Sequence, residues 1–237
     1  MTSAIRVPAA VLLPGTGSDE VFVRAVFDGP LRALGVPLLA PPPPPGASLA
    51  EGYLAVLDAL ADEHGELLVG GISFGAHLAA EWAVRNPGRC GGLLAALPAW
   101  NGAPGPAPAS RAATLSADLV ARSGVGAALA QTEGSPGWLR AELARAWRRH
   151  GDDLAAGLRV AAARPSPSLA QLAALNVPAG VGTCTDDPVH PTKVASDWAA
   201  SLPRASLGRT TLAALGADRE SLGRATVLAF LRARKKP

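Results

Sequence analysis

Residues 67–82 read Leu67-Leu68-Val69-Gly70-Gly71-Ile72-Ser73-Phe74-Gly75-Ala76-His77-Leu78-Ala79-Ala80-Glu81-Trp82. An apolar run of strand length is followed at once by a glycine-pinched turn and then by an alanine-rich segment with helical spacing. Ser73 sits at the apex of that turn, bracketed by Gly71 and Gly75 in the pattern G-x-S-x-G. Small residues at the bracketing positions let two backbones approach closely, while the serine is held in a strained conformation with its hydroxyl exposed at the head of a helix. The alternative is a glycine-flanked turn whose serine only caps the following helix.

Outward from this stretch the chain alternates buried strands with amphipathic helices. Residues 7–13 form an apolar run that stops at Pro14-Gly15-Thr16-Gly17-Ser18, and Asp19 and Glu20 open a helix through Val21, Phe22, Val26 and Phe27. Residues 35–40 make a short strand, closed by the five prolines 41–45, a stiff polyproline connection that cannot pair in a sheet. Ser48 and Glu51 have the spacing of a capping box for the next helix, whose stripe is Leu49, Tyr53, Val56, Leu57 and Leu60. Residues 91–97 give a strand after the Ser73 helix, residues 179–184 another, and residues 207–212 the last, before a closing helix over 218–234. Such alternation implies a mostly parallel sheet with helices on both faces, and reactive groups at the strands' carboxyl ends.

The strand, G-x-S-x-G turn and helix, set in this order of elements, resemble the α/β-hydrolases, and the resemblance extends over most of the chain. It implies an α/β-hydrolase fold with a mostly parallel sheet of about six strands. The core is expected in residues 1–97 and 176–237, and a helical cap in residues 98–175, where helices replace strands. Full-length members begin with an antiparallel hairpin for which too few residues precede Val7. The resemblance also implies that Ser73 is the nucleophile and that the backbone amides of Thr16 and Phe74 form the oxyanion hole. Thr185-Asp186-Asp187-Pro188-Val189-His190-Pro191 is similar to the family's acid-bearing turn, with Asp187 to Pro191 matching D-x-x-x-P and Asp186 as the other candidate acid.

One departure stands out. The family's histidine is expected after the last strand, yet that place reads Leu215-Gly216-Ala217-Asp218-Arg219. Of the four histidines, His64 ends a helix on the opposite side of the fold. His77 lies one turn along the Ser73 helix and is expected to pack in the core, and His150 ends a cap helix among arginines and is expected exposed. His190 alone shares a turn with Asp187 at the carboxyl edge of the sheet, where an imidazole can approach Ser73, the alternative being a loop histidine beside a proline turn.

Two functions follow. The first is a serine hydrolase of carboxylic esters or thioesters, with Ser73, Asp187 and His190 as its catalytic residues. The second is a non-catalytic protein of the same fold that binds a small apolar ligand or assists a partner enzyme. Trp100, Trp138 and Trp147 are candidates to line an apolar acyl pocket, with packing of cap helices onto the core as the other role for them. Residues 101–108, rich in glycine and proline, are expected to be mobile above the site.

Composition bounds the partners. The chain has 237 residues, 49% hydrophobic and 17% charged, with a net charge of +3. No stretch offers about 20 uninterrupted apolar residues, so no membrane partner is expected. The basic residues gather at Arg232-Ala233-Arg234-Lys235-Lys236 without interleaved aromatics, which argues against nucleic acid. Cys90 and Cys184 lack the spacing of a metal site or disulfide framework, and no metal or organic cofactor is expected. Residues 1–6 lack the layout of a signal peptide, so a cytoplasmic location and a small-molecule acyl substrate are the expectations. The oligomeric state is left open.

Overall fold

The computed structural model describes residues 7–235; the expectations for residues 1–6 and for Lys236 fall outside them. Six strands form one sheet: β1 (Ala10–Leu13), β2 (Leu38–Leu39), β3 (Leu67–Ile72), β4 (Cys90–Ala96), β5 (Ala179–Cys184) and β6 (Ala205–Thr210). Their order is β2-β1-β3-β4-β5-β6 and every pairing is parallel. This is the α/β-hydrolase fold that the sequence led us to expect. The chain steps from β1 outward to β2 and then returns past β1 to β3. Connections therefore diverge between β1 and β3, where α/β sheets open a crevice at the carboxyl ends of the strands.

Ten α-helices accompany the sheet among the described residues: α1 (Glu20–Arg32), α2 (Leu49–His64), α3 (Phe74–Arg85), α4 (Pro108–Ala130), α5 (Gly137–His150), α6 (Leu154–Ala163), α7 (Leu169–Ala173), α8 (Thr192–Ser201), α9 (Leu212–Ala217) and α10 (Glu220–Ala233). The central strands β1, β3 and β5 are buried along their whole length, which is why they read as continuous apolar or small-residue runs rather than alternating ones. One face packs Tyr53, Leu57, Leu78, Trp82 and Trp198 from α2, α3 and α8. The other packs Val26, Phe27, Leu222, Val227 and Phe230 from α1 and α10. Helix α10 lies directly on strand backbone, since a Cβ at Gly180 would stand 2.6 Å from the Phe230 nitrogen and one at Gly208 2.6 Å from the Ala225 carbonyl carbon.

Between β4 and β5 the described chain is helical, and α4, α5 and α6 enclose a separate apolar cluster around Ala117, Val120, Trp147, Leu154 and Leu158. Helix α4 kinks at Gly124 (φ 77°).

Two local expectations are corrected, for Ser48 and for the end of the last strand. Ser48 makes no side-chain cap, because the 3-10 turn Gly46–Ser48 already puts it in helical backbone (φ −80°, ψ −2°), and an N-cap needs an extended one. Glu51 instead receives Arg164 Nη1 at 2.7 Å. The last strand ends at Thr210, not Leu212, because the Thr211 side chain accepts from the Ala214 amide and starts α9. The segment 101–108 is tied at its start: Ser166 N donates to Gly102 O at 2.8 Å and Gly102 N to Pro167 O at 3.3 Å.

Candidate active site

Strand β3 delivers Ser73 into a backbone that few L-residues adopt, φ 53° and ψ −114°. Such a conformation costs on the order of 1–3 kcal/mol and persists only where surroundings enforce it. Here they do. The Ser73 amide donates to Ala96 O at 2.8 Å, fixing the residue to the end of β4. A Cβ on Gly71 would sit 2.5 Å from Leu13 O, and one on Gly75 would sit 2.6 Å from Pro14 O. Glycine at both positions therefore lets the end of β1 and the start of α3 touch backbone to backbone. The serine makes no cap to α3, contrary to the capping alternative. Its Oγ lies 2.9 Å from His190 Nε2.

His190 and Asp187 come from the loop that joins β5 to α8. Asp187 Oδ1 accepts from the amides of Val189 (2.7 Å) and His190 (3.1 Å), so its carboxylate closes a tight turn. Its Oδ2 meets His190 Nδ1 at 2.8 Å. The ring nitrogen facing a carboxylate carries the hydrogen, which leaves the Nε2 lone pair directed at the serine hydroxyl. Burial raises the Asp187 pKa, but the His190 ring and the two amides together outweigh it and hold the carboxyl below its ordinary value. The other candidate acid, Asp186, is exposed and accepts from the Leu212 amide at 2.6 Å, away from the imidazole.

Two backbone amides, one after β1 and one after β3, bear on the expected oxyanion hole. Phe74 is the first residue of α3, so its amide has no acceptor within the helix. Thr16 lies in the turn after β1, half-buried, and its amide makes no hydrogen bond among the described residues.

The remaining histidines separate cleanly. His77 is buried and its Nε2 accepts from the Ala99 amide at 2.9 Å, so the neutral ring carries hydrogen on Nδ1. Burial first, and the nearby His190 second, pull its pKa down to about 3. It sits between Trp100, met edge-on at 4.5 Å, and Trp198, stacked at 5.7 Å. His150, expected exposed, is half-buried, with Nε2 3.0 Å from Ser18 O.

The three tryptophans occupy separate places. Trp100 is buried against His77 at the end of β4. Trp138 stacks on Phe22 at 6.5 Å beneath the Arg219 guanidinium. Trp147 is buried among α4, α5 and α6 and borders Gly17. The contacts that most surround the turn after β1 escaped the sequence reading. Asp19, 1% exposed, receives Arg145 through two hydrogen bonds (3.0 and 2.6 Å). A cavity of about 150 Å³ next to this turn is lined by Asp19, Pro42, Pro43, Pro45, Arg149, His150 and Asp153. Among the described residues no cluster of three or more His, Cys, Asp or Glu side chains is placed to hold a metal, and no helix is long and apolar enough to cross a membrane.

No protein-family model matches the chain, and no curated protein matches it by sequence. Solved structures do. An esterase from Thermogutta terrifontis superposes with a TM-score of 0.69 at 19% identity, covering 86% of this chain and 80% of its own. An enol-lactonase from Burkholderia xenovorans LB400 gives 0.72 at 17% identity, over 95% of this chain and 92% of its own. A hydrolase from Pseudomonas aeruginosa PA01 gives 0.67 at 22% identity, over 97% and 91%. At these identities the likeness is one of fold, and the fold shared is that of the α/β-hydrolases.

Proposed function

We propose that the protein is a serine-dependent hydrolase of small carboxylic esters or thioesters, working through an acyl-enzyme at Ser73. The observation that carries this reading is the continuous hydrogen-bonded path from Ser73 Oγ through the His190 ring to Asp187, 2.9 and 2.8 Å, at the carboxyl edge of the sheet. Both lengths lie within the reach that proton transfer requires, about 2.6–3.2 Å.

In the first half-reaction Ser73 Oγ attacks the carbonyl carbon while its proton passes to His190 Nε2. Negative charge gathers on the carbonyl oxygen, facing the amides of Thr16 and Phe74. Collapse breaks the bond to the leaving alkoxide or thiolate, which takes the proton from Nε2. A water then repeats the sequence against the acyl-enzyme and releases the acid. Asp187 keeps the hydrogen on Nδ1 and offsets the positive charge that the ring gains in each half. Residues 98–175 act as the cap of this site over a core made of residues 1–97 and 176–237. Trp100, Trp138 and Trp147 stand in separate places, so packing of the core and cap, and not one shared acyl pocket, is the role assigned to them.

The competing reading, a binding protein without a base, stems from the lack of a histidine after β6. The approach of His190 from the β5–α8 loop supports a base supplied from elsewhere. The test is mass analysis of intact protein after treatment with a fluorophosphonate. One probe mass added to the wild type and none to Ser73→Ala is the expected result. Failure of the wild type to label between pH 6 and 9, together with no turnover of short p-nitrophenyl esters, would favour the binding protein.

A further inference from the structure

The turn after β1 is gripped by a helix from a distant part of the chain. Four consecutive residues, the last three of the turn and Glu20 at the start of α1, each meet a different residue of α5. A Cβ on Gly17 (φ 64°) would lie 2.8 Å from Trp147 Nε1, so that indole borders the Gly17 backbone. Ser18 O faces His150 Nε2 at 3.0 Å, Asp19 holds the Arg145 guanidinium by both oxygens, and Glu20 pairs with Arg149. A carbonyl only accepts, so His150 carries its hydrogen on Nε2. At its other end the same turn is fixed by the close approach of Gly75 to Leu13 and Pro14. Thr16 lies between the two anchors, and its amide is left without a partner among the described residues.

From this arrangement we infer that α5 is a positioning element for the oxyanion site: His150 and Arg145 hold the far end of the turn so that the Thr16 amide points at the developing oxyanion. The inference rests on the hydrolase reading above. Neither residue touches substrate. Their effect passes through Ser18 and Asp19 to the orientation of one N–H. An oxyanion donor is worth about 100- to 1,000-fold in kcat when removed outright, and a donor loosened but not removed loses part of that. The loss falls on kcat rather than KM, because the oxygen is held more tightly in the transition state than in the bound substrate. It also makes hydrolysis depend on the helical segment between β4 and β5 being seated, since a displaced α5 frees the turn.

The experiment compares full-length wild type, His150→Ala, His150→Gln and Arg149→Gln. Turnover of p-nitrophenyl butyrate is measured beside amide hydrogen exchange of the peptide spanning residues 14–22. His150→Ala is expected to lower kcat by roughly tenfold or more with KM within about twofold, and to speed exchange of that peptide while leaving the α2 peptides unchanged. His150→Gln, which still presents an N–H to Ser18 O, is expected to recover most of both. Arg149→Gln, which removes a half-exposed pairing, should show a smaller change in the same direction. With an active wild type, unchanged kcat and exchange in His150→Ala overturns the inference, as does a Gln variant no better than Ala. A wild type that neither turns over nor labels at Ser73 overturns the hydrolase reading instead, and the exchange of residues 14–22 then decides by itself whether α5 holds the turn.

Discussion

Asp187 and His190 are three residues apart in sequence and share a 2.8 Å hydrogen bond between Oδ2 and Nδ1. Short separation is no obstacle, because Asp187 Oδ1 simultaneously takes the Val189 and His190 amides and folds the loop back on itself. The acid thus builds the turn that presents the proposed base. Two substitutions separate these jobs. Asp187→Asn can still accept the two amides, but its side-chain NH2, once turned to Nδ1, forces the hydrogen onto Nε2. Ester turnover is expected to fall by about 100- to 10,000-fold with a small change in melting temperature. Asp187→Ala loses the turn as well and should lose several degrees in addition. Equal turnover in wild type and Asp187→Asn would remove Asp187 from the proposed chemistry.

His77 governs a pH effect on stability. Its folded pKa, about 3, lies below the ordinary value of 6.5, so between these two pH values the unfolded chain binds a proton that the folded protein does not. Stability therefore falls as pH drops below 6.5, at a limiting slope of about 1.4 kcal/mol per unit from this group, and is unaffected above it. In His77→Gln, whose side-chain oxygen can take the Ala99 amide, that component should vanish. Urea melts of both proteins at pH 7, 6, 5 and 4 measure the difference, and parallel pH profiles would contradict the assignment.

The elbow glycines are set by space. Gly75→Ala would push a methyl onto the Leu13 and Pro14 carbonyls, which are backbone and cannot swing aside. A loss of about 3 kcal/mol or more is expected, or failure to accumulate as folded protein. Gly88→Ala, with nothing within 4 Å of the added methyl, serves as the control and should stay within about 0.5 kcal/mol of wild type.

Strain at Ser73 predicts a trade of activity for stability. With φ at 53° and ψ at −114°, glycine relieves the conformation and alanine does not. Ser73→Gly should be more stable than Ser73→Ala by roughly 1–3 kcal/mol, with both inactive toward esters. Chemical denaturation of the pair checks this, and a less stable glycine variant would mean that the surroundings supply no strain to relieve.

Local sequence carried most of the architecture. The runs at 67–72, 90–96 and 179–184 are apolar or small throughout because those strands are covered on both faces, and such runs need no tertiary knowledge to be read. Asp187 and His190 share a turn, so their meeting was within reach of sequence spacing. The grip of α5 on residues 17–20 was not, since Arg145 and Asp19 are 126 positions apart and only packing brings them together. Ser48 misled for a different reason. A capping box is a statement about side chains, and the backbone at Gly46–Ser48 had already begun to coil. His150 looked like a solvent residue among arginines because nothing local announces a carbonyl 132 positions away.

Placing the proposed acid and base in one loop, Asp187 to His190, has an evolutionary corollary. The segment after β6, where the fold's relatives are expected to keep a histidine, here carries α9 and the lead into α10 and holds no reacting group in the proposed scheme. Insertions or a new binding partner can therefore be accommodated at exposed positions between Thr210 and α10 at little chemical risk, so long as β6 still flanks β5 and α10 still covers the sheet. Mutational tolerance should accordingly be lopsided, with exposed positions such as Ala213 and Ala217 free to drift around the buried Leu215, while the four residues 187–190 behave as a single inherited cassette.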